Sequence, residues 1–280
     1  METEKKLIII AGPCLAESEK MLKNTAEHLQ NVCAKFSNID FYFKASYKKA
    51  NRSSFNSFSG VGDETALKWL DEIRKNFNLK VLTDIHSVED AKMASQFVDV
   101  LQIPAFLSRQ TEILVAAANT GLTVNIKKGQ FMAPDDMKKA ADKISATVDN
   151  STVENNAESS NKIWLTERGT FFGYHDLVVD FRSILRMEEF GFPVIYDATH
   201  SLQLPSIGEQ SGGTPEFIMP MARAAISVGV DGIFFETHPE PQNAKSDSQT
   251  QLPLNLAEKF ISQLMEMNSF VKNLGIVKLV

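Results

Sequence analysis

The feature that most constrains this chain is the alternation, from end to end, of short apolar runs with longer amphipathic segments. Strands are predicted at Leu7–Ala11, Asp40–Ala45, Lys80–Asp84, Val98–Ile103, Leu122–Lys127, Lys162–Thr166, Pro193–Ala198 and Asp231–Glu236. Helices are predicted near Ser18–Lys35, Glu64–Phe77, Val88–Gln96, Arg109–Asn119, Pro134–Thr147, Val179–Phe190, Glu216–Val228 and Leu256–Asn273. Repeated strand–helix units favour parallel strands covered by helices, and eight evenly spaced units favour closure. We therefore predict a single-domain (β/α)8 TIM barrel over residues 1–280, with a doubly wound open sheet as the alternative.

Charge and cysteine content narrow the class of protein. The net charge of -6 argues against a general nucleic-acid binder, which normally carries a basic surface. Cys14 and Cys33 are the only cysteines, so a disulfide framework is not expected and a reducing compartment is the simpler interpretation. The apolar run Leu7–Ile10 is too short for a signal segment or a membrane span. We expect a cytoplasmic protein with no membrane partner.

One stretch, Thr147–Asn161, lacks apolar periodicity and is rich in Asn, Ser, Glu and Thr. We expect a solvated, low-complexity loop before the sixth strand, on the barrel face opposite the chemistry, and assign it no function.

Polar and ionisable residues collect where each predicted strand ends, and the opposite ends show no such concentration. The strand-end segments are Gly12–Cys14, Lys44–Ser54, Asp84–His86, Gln102–Pro104, Asn125–Lys128, Glu167–Gly169, Asp197–His200 and Glu236–Pro239. Active sites of (β/α)8 barrels lie at the carboxyl ends of the strands. This asymmetry indicates an enzyme.

Cations are prominent among these residues. The set comprises Lys44, Lys49, Arg52, Lys127, Lys128 and Arg168. Several cations in one barrel mouth repel each other unless they share an anionic ligand, so phosphate- and carboxylate-bearing substrates are indicated. A solvated surface position is the alternative for any lysine, and it stays open above all for Lys48 and Lys128.

A second constellation consists of Cys14, His200, Glu236 and Asp247. The first three lie at the carboxyl ends of the first, seventh and eighth predicted strands, which are neighbours in a closed barrel. Asp247 follows in the loop after the eighth strand. A thiolate, an imidazole and two carboxylates suit a divalent transition metal such as Zn²⁺, Fe²⁺, Mn²⁺ or Co²⁺. A buried inert Cys14 and a hydrogen-bonding His200 remain the alternative, because no short ligand-spacing motif is present.

The strand-end segments also carry a family resemblance. The relevant pieces are Ala11–Cys14, Lys44–Ser54, Gln102–Phe106 with Arg109–Thr111, Asn125–Phe131, Glu167–Thr170 with Phe172–Tyr174, Asp197–Ser201 and Glu236–Pro241. In order and over almost the whole chain, they resemble the 3-deoxy-D-manno-octulosonate 8-phosphate synthases. The resemblance implies condensation of phosphoenolpyruvate with arabinose 5-phosphate, a transferase reaction of lipopolysaccharide precursor biosynthesis.

A sister family uses erythrose 4-phosphate and makes 3-deoxy-D-arabino-heptulosonate 7-phosphate on the same barrel. The second-strand loop separates the two families. Lys49–Ser54 looks like the arabinose 5-phosphate form, whereas the sister family usually has Pro-Arg-Thr after its lysine. The octulosonate product is therefore preferred, and the heptulosonate synthase is the runner-up.

The resemblance also implies roles for individual residues. Phosphoenolpyruvate is expected at Lys44, Lys49, Gln102, Lys127 and Arg168. The sugar phosphate is expected at Asn51, Arg52 and Ser53, and at an Arg109 supplied by a neighbouring subunit, which implies a homo-oligomer, a tetramer in this family. Catalytic roles fall to His200, Lys49 and Asn51.

The family has metal-dependent and metal-independent branches, with Cys or Asn, respectively, at the position of Cys14. Cysteine here resembles the metal branch and implies Cys14, His200, Glu236 and Asp247 as ligands. The chain departs from the family in having Ser248 where glycine usually follows the last ligand, so the geometry of that loop is in question. Two rivals remain: a Schiff-base aldolase using Lys44 or Lys127, and a non-catalytic phosphosugar-binding barrel.

Overall fold

The structure is a computed structural model that describes residues 5–50, 57–150, 162–173, 176–204 and 212–274. Its strands are β1 (Leu7–Gly12), β2 (Ile39–Lys44), β3 (Lys80–Asp84), β4 (Val100–Ile103), β5 (Thr123–Lys127), β6 (Ile163–Glu167), β7 (Thr170–Phe171), β8 (Leu177–Val178), β9 (Val194–Asp197), β10 (Gln203–Leu204), β11 (Gly212–Gly213), β12 (Gly232–His238) and β13 (Leu252–Pro253). Its helices are α1 (Glu19–Cys33), α2 (Asp63–Asn76), α3 (Val88–Ala94), α4 (Thr111–Ala118), α5 (Asp136–Asn150), α6 (Arg182–Glu188), α7 (Ile218–Val228) and α8 (Ala257–Leu274).

Eight parallel strands close into a barrel in the order β1-β2-β3-β4-β5-β6-β9-β12. Closure is made by β12 pairing with β1, in a register that runs from Ile8 opposite Gly232 to Gly12 opposite Glu236. The predicted (β/α)8 barrel is confirmed, and the open-sheet alternative is wrong. The remaining short strands pair locally, β7 with β8 and β10 with β11. The last strand, β13, pairs in parallel with the final residues of β12, beyond the barrel.

The barrel interior is apolar at its centre and polar at its carboxyl end. One cluster of buried side chains fills the centre: Ile8, Ile10, Tyr42, Leu82, Val100, Trp164, Ile195 and Phe234. Side chains two positions apart on a strand point to the same face, so the next inward residue lies one layer higher. That next residue is polar on six strands, namely Lys44, Asp84, Gln102, Thr166, Asp197 and Glu236.

A second, larger cluster lies between the barrel and its helices, and it takes up the outward residues of the strands and the apolar faces of the helices. Phe43, for example, is fully buried there with Leu22 and Leu29 of α1. Helix α1 begins after Ser18, whose side chain accepts from the amide of Met21, the usual N-cap arrangement. The strands and helices agree with the predictions to within a few residues at each end.

The predicted loop Thr147–Asn161 is wrong in its first four residues, because α5 continues to Asn150. Thr147 Oγ1 donates to the carbonyl of Lys143 inside that helix. The rest of the stretch, 151–161, lies outside the described residues. Of the helices that the structure describes, none combines the length and apolarity that a membrane span requires.

Candidate active site

A continuous series of side-chain hydrogen bonds runs across the barrel, just above the apolar cluster that fills its centre. Thr166 Oγ1 donates to Asn125 Oδ1 over 2.6 Å, and Asn125 Nδ2 donates to Gln102 Oε1 over 2.9 Å. Gln102 Nε2 donates in turn to Asp84, which also accepts from Ser46 Oγ. All five residues are buried. Residues from β6, β5, β4, β3 and the end of β2 are thereby held in one fixed layer, which we call the polar belt.

Lys44, on β2, is buried in the barrel mouth. Its Nζ lies 2.5 Å from Glu236 Oε1 and donates to the carbonyl of Cys14 over 3.2 Å. The same ammonium lies 5.5 Å from the ring centroid of Phe234, the apolar residue below Glu236 on β12. The expected substrate lysine is therefore in direct contact with an expected metal ligand.

Lys127, on β5, also lies over this ring. Its Nζ is 3.9 Å from the centroid of Phe234 and 2.6 Å from Asp197 Oδ2. Burial lowers the pKa of Lys127, and the Asp197 carboxylate opposes that shift. Burial would also raise the pKa of Asp197, but His200 and Lys127 outweigh it and hold that pKa well below its usual range.

Lys49 completes the cation cluster from the loop after β2. Its Nζ donates to Ser46 Oγ over 2.9 Å and lies 3.9 Å from Asp84 Oδ2. Burial would lower the pKa of Lys49, but the surrounding Cys14, Glu236, Asp84 and Asp247 raise it, so the amine stays an ammonium.

Arg168, directly after β6, joins the mouth from the opposite side. Its Nη2 donates to the carbonyl of His200 over 3.1 Å and to Gln203 Oε1 over 3.0 Å. Burial lowers the pKa of Arg168, while the carboxylates of Asp197 and Asp247 act against the shift. The structure therefore brings Lys44, Lys49, Gln102, Lys127 and Arg168 to one rim.

Lys48 and Lys128, for which a solvated surface position was the open alternative, both have structural roles. Lys128 is buried, with Nζ 2.8 Å from Thr170 Oγ1 and 3.5 Å from Glu167 Oε1. Lys48 has its Nζ 3.0 Å from both Asp63 and Asp90. Lys48 thus joins the loop after β2 to α2 and α3, and Lys128 joins the loop after β5 to β6 and β7.

Three of the four expected metal ligands form a compact group, since the ligand atoms of Cys14, Glu236 and Asp247 lie within 4.8 Å of one another. Cys14 Sγ is 3.0 Å from Asp247 Oδ2. His200 stands beside the group, with Nε2 3.5 Å from Glu236 Oε1 and 3.9 Å from Asp247 Oδ2. Its other nitrogen, Nδ1, is 2.9 Å from Asp197 Oδ2. The imidazole is therefore oriented so that Nε2 faces the two carboxylates.

The chemistry of this group fits a metal ion. Glu236 Oε2 is buried and has no hydrogen-bond partner among the described residues, which is costly unless another ligand takes it up. Burial raises the pKa of Cys14, and the carboxylates of Asp247 and Glu236 raise it further, so without a cation the thiol stays protonated and donates to Asp247. A soft sulfur, an imidazole nitrogen and two carboxylates are a ligand set for a divalent transition metal.

The question raised by Ser248 has a structural answer. The left-handed backbone conformation in this loop falls on Asp247, with φ of 48°, and Ser248 is not among the described residues with positive φ. Aspartate tolerates that conformation better than most residues. Thr250 then donates its amide to the carbonyl of Asp247 over 3.1 Å and closes the turn. A glycine at position 248 is therefore not required.

Of the expected sugar-phosphate residues, Arg109 alone lies in the part of the chain that the structure describes. Asn51, Arg52 and Ser53 lie outside the described residues. Arg109 is exposed in the loop between β4 and α4, and its carbonyl accepts from Lys143 Nζ. These four assignments stay predictions.

Asp84 and Asp197 are the residues whose importance the sequence did not reveal. Both lie in the strand-end segments, but the sequence pattern assigns neither of them a catalytic, binding or metal-ligating role. In the structure each is a buried carboxylate that binds two groups of the site: Asp84 contacts Gln102 and Ser46, while Asp197 contacts Lys127 and His200. Period-two alternation would have found them, because each lies two residues after an apolar inward residue.

Comparisons with known proteins agree with this architecture. The sequence profile of the DAHP synthetase I family matches residues 2–273. A protein of Campylobacter jejuni named 2-dehydro-3-deoxyphosphooctonate aldolase is 48% identical over 269 residues, which are 96% of this chain and 98% of that protein. Proteins with the same name from Koribacter versatilis and Dechloromonas aromatica are 49% identical over 271 residues and 46% identical over 277 residues. Those matches cover 95% and 99% of this chain and 92% and 96% of the two relatives.

Proposed function

This chain belongs to the DAHP synthetase I family, and on that premise we propose that it condenses phosphoenolpyruvate with D-arabinose 5-phosphate and water, giving 3-deoxy-D-manno-octulosonate 8-phosphate and phosphate. The observation that carries the proposal is the convergence of Lys44, Lys49, Lys127 and Arg168 on one rim beside a ligand set for a metal. The near full-length relatives named for the same octulosonate point to this product. The reaction belongs to lipopolysaccharide precursor biosynthesis, and a cytoplasmic location is part of the proposal.

Phosphoenolpyruvate is the natural occupant of the cation cluster. Lys44 and Lys127 lie above the Phe234 ring, and Gln102 is held by the polar belt, so the carboxylate and phosphate meet preorganised donors. Arg168 offers a planar fork to the phosphate from the far side of the mouth. Each of these cations is already paired with a buried carboxylate or a carbonyl, so it needs little reorganisation when the substrate binds.

The reaction joins C3 of phosphoenolpyruvate to the aldehyde carbon C1 of the sugar phosphate while water adds at C2. The aldehyde oxygen takes up a proton, and the hemiketal phosphate at C2 then loses phosphate to give the ketone. Lys49 stays protonated beside the metal ligands, so it supplies a positive charge and a proton donor near the aldehyde. The cluster's main contribution is to hold two polyanions side by side and neutralise them.

Cys14, His200, Glu236 and Asp247 would hold a divalent transition metal, and when bound it would supply Lewis acidity toward the water or the aldehyde. Both nitrogens of His200 are committed in this arrangement, Nδ1 to Asp197 and Nε2 toward the ligand set. His200 is therefore better suited to a ligand role than to a proton relay.

A homo-oligomer, by the family resemblance a tetramer, is also proposed. Four large aromatic side chains are exposed on the loops after β4, β5 and β6: Phe106, Phe131, Phe171 and Phe172, the last of them 75% exposed. The loops are joined, since Phe171 donates its amide to Gln130 over 3.0 Å and Ser108 Oγ lies 3.2 Å from Met132 Sδ. Exposed aromatic groups of this kind mark protein interfaces, and Arg109 is exposed in the first of these loops.

The test is a phosphate-release assay with arabinose 5-phosphate and erythrose 4-phosphate, each with and without a strong chelator. We expect phosphate only when phosphoenolpyruvate and an aldose are both present, with kcat/KM at least about ten-fold higher for arabinose 5-phosphate. A preference for erythrose 4-phosphate would make the chain a heptulosonate synthase. A covalent adduct trapped by borohydride would replace the proposal with a Schiff-base aldolase, and release without an aldose would exclude the condensation.

A further inference from the structure

Asp197 lies between the two halves of the site. Its Oδ1 is fixed by the amide of His200 at 2.9 Å and by the amide and hydroxyl of Thr199, each at 3.2 Å. Its Oδ2 accepts from Lys127 Nζ at 2.6 Å, and His200 Nδ1 lies 2.9 Å from Oδ2 and 3.2 Å from Oδ1, with Lys127 Nζ 3.5 Å from the same ring nitrogen. The side chain is fully buried. One carboxylate group therefore binds an expected phosphoenolpyruvate lysine and an expected metal-ligand histidine at the same time.

Resting on the proposed function, we infer that Asp197 is a positioning residue that couples the metal site to the phosphoenolpyruvate site. It holds the imidazole with Nε2 toward Glu236 and Asp247, and it holds Lys127 above the Phe234 ring. Partners of this kind orient metal-ligating histidines and raise their affinity for the metal. The unusual feature is that the same carboxylate also restrains a substrate cation.

Because Asp197 contacts both Lys127 and His200, the sign of the coupling between metal binding and phosphoenolpyruvate binding can be predicted. A cation on Nε2 would polarise the imidazole and make Nδ1–H a stronger donor to the Asp197 carboxylate. That carboxylate would then interact less strongly with Lys127, which would become more available to an anionic substrate. Metal loading should therefore tighten phosphoenolpyruvate binding, and phosphoenolpyruvate should tighten metal binding by the same factor, because linkage is reciprocal.

A second, independent link runs through Glu236, whose Oε1 binds Lys44 while Oε2 has no hydrogen-bond partner in the described part of the chain. Removing the charge of Asp197 should therefore weaken the coupling without abolishing it. The isosteric change Asp197→Asn does this, because its oxygen can still accept from the backbone amides of Thr199 and His200 at the Oδ1 position, while its nitrogen at the Oδ2 position cannot accept from Lys127.

Asp84→Asn is the matched control. It makes the same substitution at a carboxylate that is also buried in the barrel mouth, but its described hydrogen bonds go to Gln102 and Ser46. It should weaken phosphoenolpyruvate binding while leaving His200 and the metal affinity unchanged.

The experiment measures two affinities in each protein: that for Co²⁺, by chelator competition followed through the cobalt–thiolate absorption of Cys14, and that for phosphoenolpyruvate, by calorimetry with and without Co²⁺. In the wild type, we expect Co²⁺ to tighten phosphoenolpyruvate binding by about five-fold or more. In Asp197→Asn, Co²⁺ affinity should fall about 10–100-fold, and the tightening should shrink to about a third or less of the wild-type factor.

Equal coupling in Asp197→Asn and the wild type would overturn the inference, as would an equal loss in Asp84→Asn or a wild-type protein in which Co²⁺ leaves phosphoenolpyruvate affinity unchanged. If Asp197→Asn does not fold, Lys127→Gln tests the other end of the link. That variant should keep Co²⁺ affinity within about two-fold, and because the Glu236 link remains, its coupling should shrink to about a third or less of the wild-type factor; a coupling equal to that of the wild type would contradict the idea. Failure of the proposed function looks different, because the wild type would then release no phosphate from the two substrates.

Discussion

At the scale of single residues, the two cysteines are both free and buried but differ in their neighbours. Cys14 faces Asp247 and Ser246, each 3.0 Å from its Sγ, whereas Cys33 is packed in the apolar cluster between α1 and the barrel. Cys14 therefore has the polar surroundings of a metal ligand, and Cys33 does not.

We predict that Cys14→Ala lowers kcat by at least about 100-fold, because it removes the thiolate ligand, and that the midpoint of thermal unfolding changes by only a few degrees. Cys33→Ala is the control and should keep wild-type, chelator-sensitive activity. Phosphate release and thermal melts measure both effects. Full activity of Cys14→Ala after strict chelation would refute a metal role.

The charge of Asp84 is expected to make the free energy of unfolding depend on pH. The nearby ammonium groups of Lys44, Lys49 and Lys127 hold its pKa far below normal against the opposing effect of burial. A carboxyl with a depressed folded pKa stabilises the protein above its unfolded pKa of about 3.9, and that stabilisation is lost as pH falls toward the folded pKa.

Asp84→Asn should therefore lower the free energy of unfolding by about 1–3 kcal/mol at neutral pH. The difference from the wild type should be equal at pH 8 and pH 6 and smaller by about 1 kcal/mol near pH 3. Urea unfolding at the three pH values measures it. A difference that grows as the pH falls would show that the carboxylate is not stabilised by the lysines.

At the scale of elements, Gly12 ends β1 at its closest approach to β2. A Cβ at this position would lie 2.1 Å from the carbonyl oxygen of Lys44, so a larger residue must push the strands apart just before Cys14. Gly232, at the other end of the β1–β12 pairing, is also crowded, with a Cβ that would lie 2.8 Å from Ile8.

We predict that Gly12→Ala and Gly232→Ala both lower the free energy of unfolding, by about 1–3 kcal/mol or more. Only Gly12→Ala should also weaken Co²⁺ binding, by at least about ten-fold, because it displaces Cys14 from Glu236 and Asp247. Denaturant unfolding and chelator competition separate the two effects. Equal metal affinity in the two variants would show that β1 does not position the ligand.

The elements themselves were predictable because each strand is an apolar run with a polar residue at its carboxyl end. The convergence of Lys44, Lys127 and Arg168 followed from that rule and the barrel topology. What could not be predicted is which carboxylate each cation binds, since the pairs Lys44–Glu236 and Lys127–Asp197 join strands far apart in sequence. The end of α5 was also missed, because a polar segment without apolar periodicity can extend a helix that is already anchored by packing.

At the scale of the whole molecule, the placement of Arg109 separates two arrangements of the active site. If Arg109 serves a neighbouring subunit, an oligomer mixed from Arg109→Ala and Cys14→Ala chains contains sites that have both residues. Random assortment should restore about a quarter of wild-type activity from two inactive parents.

Coexpression of the two variants, followed by phosphate-release assays and light scattering, measures this recovery. The control mixes Cys14→Ala with Lys127→Gln, two variants that damage the same chain's own site in different ways, and should recover nothing beyond its parents. No recovery in the first mixture would place Arg109 in its own chain's site or outside it.

The polar belt has a consequence for how this barrel can change. Each residue of the belt has a hydrogen-bond partner on an adjacent strand; the members are Ser46, Asp84, Gln102, Asn125 and Thr166. Replacing one member therefore leaves the donor or acceptor of its neighbour without a partner. Natural variation should therefore spare these five positions or alter neighbours in compensating pairs. A protein engineer seeking a different aldehyde substrate has far more freedom in the loops above this layer than within it.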